Sequence, residues 1–421
     1  MEKLGIEVVG AWDEIEQILI DIQRLREKKQ QDNFLDIHFD EQSLERFNEV
    51  VIQTYSSKSD TVKAIMCMLD QEVREEAPEI YMDVSWMTSD VLSQLIHSEN
   101  LCEKPFVCHQ LVNLRTTEES KDGLIENFQI LHQVLPYAFA FHKEYDIRYT
   151  YTTRMPEGQI RYPWPHYIVT HKHVILCSED KYHTLIITNE QAAQCYRREL
   201  EKIIRSYRPL FTYQGLSGEG IQKYRRMSEN SEIHVIYEEC PCIALMVPEK
   251  MQEQFKQDPE IGKYAQAYFE QNMTVASRFV NIFGMKEIKY FIQTGHLPGV
   301  FDEYFCVENV DERRGMIECF HQHLLAHTRR FYMVNEEKFT NCDGFGIELF
   351  GKSKIMFYST SVEFPFGFIT IDEPGICEVF LSYFEHLIDS EYLYSLEETI
   401  VQYEKMVEEY FEEGQLKGSA E

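Results

Sequence analysis

Two separated parts of this chain carry the same pattern in the same order, and any fold must accommodate both. Gly123-Leu-Ile-Glu-Asn-Phe128 aligns without gaps with Gly315-Met-Ile-Glu-Cys-Phe320, and each opens a long helix leading into a strand. Val169-Thr-His-Lys-His-Val-Ile-Leu-Cys-Ser178 aligns likewise with Phe350-Gly-Lys-Ser-Lys-Ile-Met-Phe-Tyr-Ser359. A short turn later, Thr184-Leu-Ile-Ile187 matches Phe368-Ile-Thr-Ile371. After each match the apolar spacing changes from strand to helix within three residues. Both helix starts have their signals: Thr188 or Asn189 as the cap in the first, Asp372 followed by Pro374 in the second. The expectation is an α/β fold made of two tandem copies of one unit, residues 61–213 and 214–390, with Gly215 to Gly220 as the linker.

In the first copy the pattern predicts a helix over 61–76, a strand over 79–84, and a helix capped by Thr88-Ser89-Asp90. A helix over 122–139, interrupted or ended near Pro136, and a strand over 145–152 follow. Then come an aromatic, proline-rich loop (Arg161-Tyr-Pro-Trp-Pro-His166), β runs over 167–177 and 183–187, and a helix over 190–206. In the second copy it predicts a strand over 232–237, a helix over 311–330 and a strand over 331–334. Two strands, over 345–358 and 366–371, and a helix from Pro374 complete it. Helical extensions flank the copies. Residues 1–60 place Ile15, Ile18, Leu19, Ile22 and Leu25 at helical spacing. Residues 391–421 form an acidic helix with Leu393, Leu396, Ile400, Tyr403, Val407 and Tyr410 at alternating steps of three and four. Such a seam serves either docking on its own body or a homodimer.

At 421 residues, 44% of them hydrophobic, the chain suits two cores rather than one or none. Its formal charge of −30, from 71 acids against 41 bases, repels nucleic acid and anionic membrane, so neither is an expected direct partner. No apolar run approaches the ~18 residues that a membrane helix needs. The densest basic group, Arg197, Arg198, Lys202 and Arg205, reads as a solvated helix face. The 11 cysteines are scattered, with Cys67 and Cys177 inside apolar runs, as reduced thiols are in a cytoplasmic protein. The acids that follow Met1-Glu2-Lys3-Leu4-Gly5 do not suit an export signal.

His166, His171, His173 and His183 crowd one β region, which suits a proton or anion sensor because free imidazoles titrate at pH ~6.5. Tyr162 and Trp164, on a loop stiffened by proline, are placed to wall a pocket. Gly215-x-x-Gly218-x-Gly220 lacks the spacing of a phosphate loop, no GxSxG occurs, and no cofactor is expected. His321, His323 and His327 share a helix without HExxH, so no metal is expected. Cys240-Pro-Cys242 has no second cysteine pair and reads as buried thiols.

The strand–strand–helix ending of both copies resembles the phospholipase-D-like superfamily. Tyr167-Ile-Val-Thr170, Arg208-Pro-Leu210 and Asp372-Glu-Pro-Gly-Ile-Cys377 also resemble the sensory region that follows a helix-turn-helix in bacterial transcription regulators. No helix-turn-helix is evident in residues 1–60, so direct DNA binding is not expected. In the superfamily each half carries His-x-Lys and, after four residues, Asp. Here the two places read His171-x-His173 then Ser178, and Lys352-x-Lys354 then Ser359, so only His171 and Lys354 match. The resemblance implies two histidines, one attacking phosphorus and one protonating the leaving oxygen. Lys352 in place of the second, with an ordinary pKa of ~10.4, holds an anion but is a poor acid–base partner at pH 7. The expected protein is therefore a catalytically inactive ligand-sensing or regulatory one, serving transcriptional control through a partner. Its expected ligand is a small anion held between the copies by His171, His173, Lys352 and Lys354, with Trp164 near. The alternatives are a divergent phosphodiesterase using His171 and a protein–protein adaptor.

Overall fold

The computed structural model describes residues 12, 14–21, 52–83, 106–116, 121–141, 144–151, 164–179, 182–215, 222–223, 226–227, 234–250, 262–263, 266, 269–270, 279–297, 306–326, 330–339, 344–359 and 367–417. The chain divides into two compact units, Met1–Phe211 and Thr212–Glu421. Each is built on one mixed sheet with helices against it, an α/β arrangement.

The first sheet contains β1 (Ile52–Tyr55), β2 (Glu79–Asp83), β3 (Val107–Leu114), β4 (Tyr145–Tyr151), β5 (His166–Val169), β6 (His173–Cys177), β7 (Thr184–Thr188) and β8 (Arg208–Pro209). Their spatial order is β1-β7-β6-β5-β2-β3-β4-β8. β2, β3 and β4 run parallel, while β5, β6 and β7 form an antiparallel meander joined to β2 through β5. Parallel neighbours need a crossover, and α2 (Lys121–Phe141) supplies it between β3 and β4. α2 passes through Pro136 rather than ending there. Buried Phe128, Leu131, Val134, Leu135 and Ala138 fix it by packing, which overrides the local cost of the proline. α1 (Lys58–Val73) starts on the Ser57 cap and is tied to β7 by Thr61 Oγ1 and Thr184 Oγ1, 2.9 Å apart. α3 (Glu190–Ser206) starts on Asn189, whose side chain accepts from the Ala192 N–H at 2.8 Å, and buries Ala193, Leu200 and Ile204.

The second sheet contains β9 (Thr212–Gly215), β10 (His234–Glu238), β11 (Phe279–Phe283), β12 (Arg330–Met333), β13 (Phe345–Phe350), β14 (Lys354–Ser359) and β15 (Gly367–Ile371). Their order is β12-β11-β10-β13-β14-β15-β9. Read from its β9 edge, this is the succession of the first sheet from β1 to β4, with the same parallel and antiparallel senses. The register also agrees where the repeated sequence predicts it: Val174 faces Ile187, and Ile355 faces Ile371. On the other side it slips by one residue. Val174 faces Val169 but Ile355 faces Leu349, where the ungapped match requires Phe350. The turn into β14 therefore holds one residue more, accommodated by Gly351 at φ +62°. α4 (Cys242–Leu245), α5 (Lys286–Thr294), α6 (Val310–Leu325), α7 (Pro374–Ile388) and α8 (Leu396–Lys417) belong to this unit.

Several expectations are corrected. Residues 52–55, expected in a helical extension, are an edge strand on β7; residues 14–21 are helical and bury Ile15, Ile18 and Leu19. The runs 167–177 and 345–358 are each broken by a turn, at 170–172 and 351–353, and the helix from Asp311 stops at Leu325. β3 and β11 occupy stretches whose pattern predicts no strand. The α7 cap is Glu373, accepting from the Ile376 N–H at 2.6 Å, not Asp372. The helix expected at Thr88, Ile22, Leu25 and most of the glycine linker lie outside the described residues.

α8 is no free extension. Tyr403 and Met406 are buried in the second unit's core, with Ile400, Val407 and Tyr410 packed against it. The Tyr403 hydroxyl donates to the Ile317 carbonyl at 2.9 Å, and Thr399 Oγ1 accepts from the Met333 N–H at 3.2 Å. The seam is thus occupied by its own body. Tyr403→Ala is expected to cost about 3–5 kcal/mol and Tyr403→Phe about 1 kcal/mol in urea unfolding. Neither change should alter the size of the particle in gel filtration, as a dimer seam would.

Candidate functional site

The β5–β6 turn carries His171 and leads into β6 at His173. Thr170 closes it: its N–H donates to the His173 carbonyl at 2.9 Å, and its Oγ1 accepts from the His173 N–H at 3.0 Å and the Lys172 N–H at 3.3 Å. His171 and Lys172 are left at the tip. Beneath them lies Glu72, in the last turn of α1 and 3% exposed. Its carboxylate accepts from the backbone N–H of Glu79 at 3.0 Å and of His171 at 2.9 Å, and meets the His171 ring through Nδ1. Burial raises the Glu72 pKa, outweighing the opposing bonds from His171 and the charge of Arg197. With Nδ1 turned to a carboxylate, the His171 proton sits on Nδ1 and Nε2 is the available nitrogen. An imidazole oriented by a buried acid is the arrangement of a general base or nucleophile. Lys172 is neutralised by Glu75, 2.5 Å away.

His173 goes the other way. It is 2% exposed, with Nδ1 3.2 Å from Thr170 Oγ1 and Nε2 buried without a partner among the described residues. Burial, helped by Lys172, lowers its pKa to about 4, so at pH 7 it is neutral and offers an anion no charge. Trp164 is half-buried just before β5; Tyr162 lies outside the described residues. In the second unit, Lys352 is exposed and donates to Glu378 at 2.7 Å. Lys354 is half-buried on β14, and its ammonium has no hydrogen bond or ion pair among the described residues. The structure thus places His171 and His173 on one hairpin but on different sides, and Lys352 and Lys354 on another.

A second polar group was not legible in the sequence. At the end of β10, Glu238 is buried, accepting from Asn281 Nδ2 at 2.5 Å and from the Tyr358 hydroxyl at 3.3 Å. Tyr358 lies across Gly346, where an added Cβ would come within 2.2 Å of its ring. His234 Nε2 and Glu348 Oε2, on the same sheet face, are 3.0 Å apart. Asn281 is fully buried and its Oδ1 has no partner among the described residues. Burial, with Glu348 and Glu239 adding repulsion, pushes the Glu238 pKa up to about 8, so it is protonated at pH 7. In the first unit Asp83, at the end of β2, is raised to about 7 by burial, against a bond from Asn113. By register Asp83 corresponds to Tyr237, so the two acids point to opposite faces. Both lie at the carboxyl ends of parallel strands, where α/β sheets commonly bind ligands.

The other constellations have structural roles. Arg197 pairs with Glu79, Lys202 with Glu199 at 2.7 Å and Arg205 with Glu201 at 2.6 Å, so three of the four basic residues are compensated. His321 pairs with Glu404 at 2.9 Å, His323 lies 3.7 Å from Cys319 Sγ, and His327 is outside the described residues. Among the described residues no three His, Cys, Asp or Glu are grouped to hold a metal, and no helix is long and apolar enough to cross a membrane.

No family model matches the chain, and no curated protein matches it. A likeness is found to TrmBL2, an archaeal chromatin protein whose structure is described as showing a novel mode of DNA binding. It has 10% identity and a TM-score of 0.24, and covers 40% of this chain and 59% of that one.

The raised pKa of Glu238 has a pH signature. The folded state holds a proton that the unfolded chain releases near pH 4.5, so stability falls from that pH up to about 8 and is flat above. Glu238→Gln should remove this slope: by pH 9 the parent should lose up to about 4 kcal/mol relative to the variant, the two being referenced at pH 4. Urea unfolding across that range checks it.

Proposed function

We propose that this protein is a ligand-sensing regulatory module whose two units are copies of one phospholipase-D-like unit, and that it is silent as a phosphodiesterase. The copying is supported by the shared strand succession and by the shared register of β6–β7 and β14–β15. The observation that carries the functional reading is the asymmetry of the two turns. One offers an imidazole oriented by Glu72. Counted back from β6 and β14, its counterpart is Lys352, an exposed ammonium bonded to Glu378. Phosphodiester cleavage through a histidine needs a second group that gives up a proton near pH 7, and an exposed lysine does not.

The ligand expected is a small anion, taken at Lys354 by an uncompensated ammonium in the second unit, or at His171 in the first, where Nε2 donates only when the ring carries a second proton. Such a module serves transcriptional control through a partner that carries the DNA-binding element. A second reading is favoured by one feature: His171 with Glu72 is already arranged as a general base, and a divergent phosphodiesterase would use it.

The test pairs two readouts on the full chain, thermal unfolding with increasing inorganic phosphate and turnover of bis(p-nitrophenyl) phosphate. The sensor reading expects saturable stabilisation, weakened by Lys354→Ala and His171→Ala, with no turnover. Turnover abolished by His171→Ala would establish the enzyme instead. Neither stabilisation nor turnover would remove both anion readings and leave the adaptor.

A further inference from the structure

Cys240 and Cys242 flank a tight turn. The chain leaves β10 at Glu238, and two residues later the Cys242 N–H donates to the Cys240 carbonyl at 2.7 Å. Between them Pro241 has φ −74° and ψ 63°, the values of an inverse γ-turn, which the fixed φ of proline favours. Residues two apart have Cα atoms within about 7 Å, and the turn draws them closer, into the range of about 4.4–6.8 Å that a disulfide bridges. Each thiol shifts the other's pKa, as neighbouring sulfurs do. Cys240 is buried in the core that also holds Ala244, Leu245 and Tyr403, whereas Cys242 is half-buried.

From this geometry we infer that Cys240 and Cys242 form a reversible disulfide, a thiol switch at the carboxyl end of the second unit's central strand. The oxidant is a small disulfide such as oxidised glutathione. The more exposed Cys242, as thiolate, attacks one glutathione sulfur; the glutathione S–S bond breaks and one thiolate leaves, taking up a proton. Cys240 then loses its proton and attacks the Cys242 sulfur of the mixed disulfide, displacing the second glutathione. Two protein thiols give up two electrons and two protons, and these reduce the oxidant to two thiols. The bond from Cys240 favours the Cys242 thiolate, but burial and the nearby Glu238 and Glu239 outweigh it, so the thiol's pKa is raised. Oxidation should therefore be slow at pH 7 and faster as pH rises.

The turn is coupled to its surroundings. The Glu239 carbonyl accepts from the Gly284 N–H at 3.1 Å, and its carboxylate accepts from the Gly344 N–H. Residue 239 thus joins the ends of β10 and β11 to the start of β13, beside the Glu238–Asn281–Tyr358 group.

The experiment equilibrates the full chain in glutathione buffers of increasing oxidised fraction, blocks free thiols with iodoacetamide and digests with trypsin. The fragment Met227–Lys250 holds Cys240 and Cys242 as its only cysteines. The expected product is this fragment unblocked and lighter by two hydrogens, restored to the alkylated dithiol by prior reduction with dithiothreitol. Cys240→Ser should trap one glutathione on Cys242 instead. A fragment that stays doubly alkylated at every ratio in the folded chain, while oxidising once the chain is unfolded in urea, would overturn the inference.

Discussion

The central strand of each sheet, β2 in the first unit and β10 in the second, takes a parallel neighbour on one edge and an antiparallel one on the other. Every other element is placed from that junction. The parallel side demands crossover helices, and the antiparallel side allows a short-turned meander ending in a capped helix. Such a strand is covered on both faces, so its polar residues are displaced to its ends. Asp83, Glu238 and Glu239 stand there, and their burial is what raises Asp83 and Glu238 above the ordinary carboxylate range.

What the sequence made legible was local. Asn189 at the start of α3, Pro374 at the start of α7 and the apolar runs of β6, β7, β14 and β15 are signals within a few residues, and the structure places elements there. β3 was hidden because Val107–Leu114 mixes in Cys108, His109, Gln110 and Asn113. Tertiary partners make those residues acceptable in a strand: His109 stacks on Tyr81 with ring centres 4.6 Å apart, and Gln110 is bonded by the Tyr145 hydroxyl. The turn inside 167–177 was hidden because Thr170, a good strand residue, uses its hydroxyl to hold a turn.

The site was less legible than the fold, for the same reason at longer range. His171 was identifiable by its place between two apolar runs, but Glu72, which orients it, is 99 residues away in an unremarkable helical stretch. Charge pairing explains why other basic candidates faded. In a chain with 71 acids and 41 bases, a lysine or arginine readily finds a carboxylate. Lys172, Arg197 and Lys352 each have one, while His173 is neutral because it is buried. The asymmetry between an oriented imidazole in one turn and a compensated ammonium in the other is the feature on which the non-catalytic reading stands.

That reading is tested most directly by ¹⁵N spectra of the chain with labelled histidine rings, recorded as a reactive phosphodiester is added. The account predicts that the His171 nitrogens shift saturably while remaining those of an imidazole. A new signal showing a nitrogen–phosphorus bond at His171 would contradict it, because the ring would then be a nucleophile in a working active site.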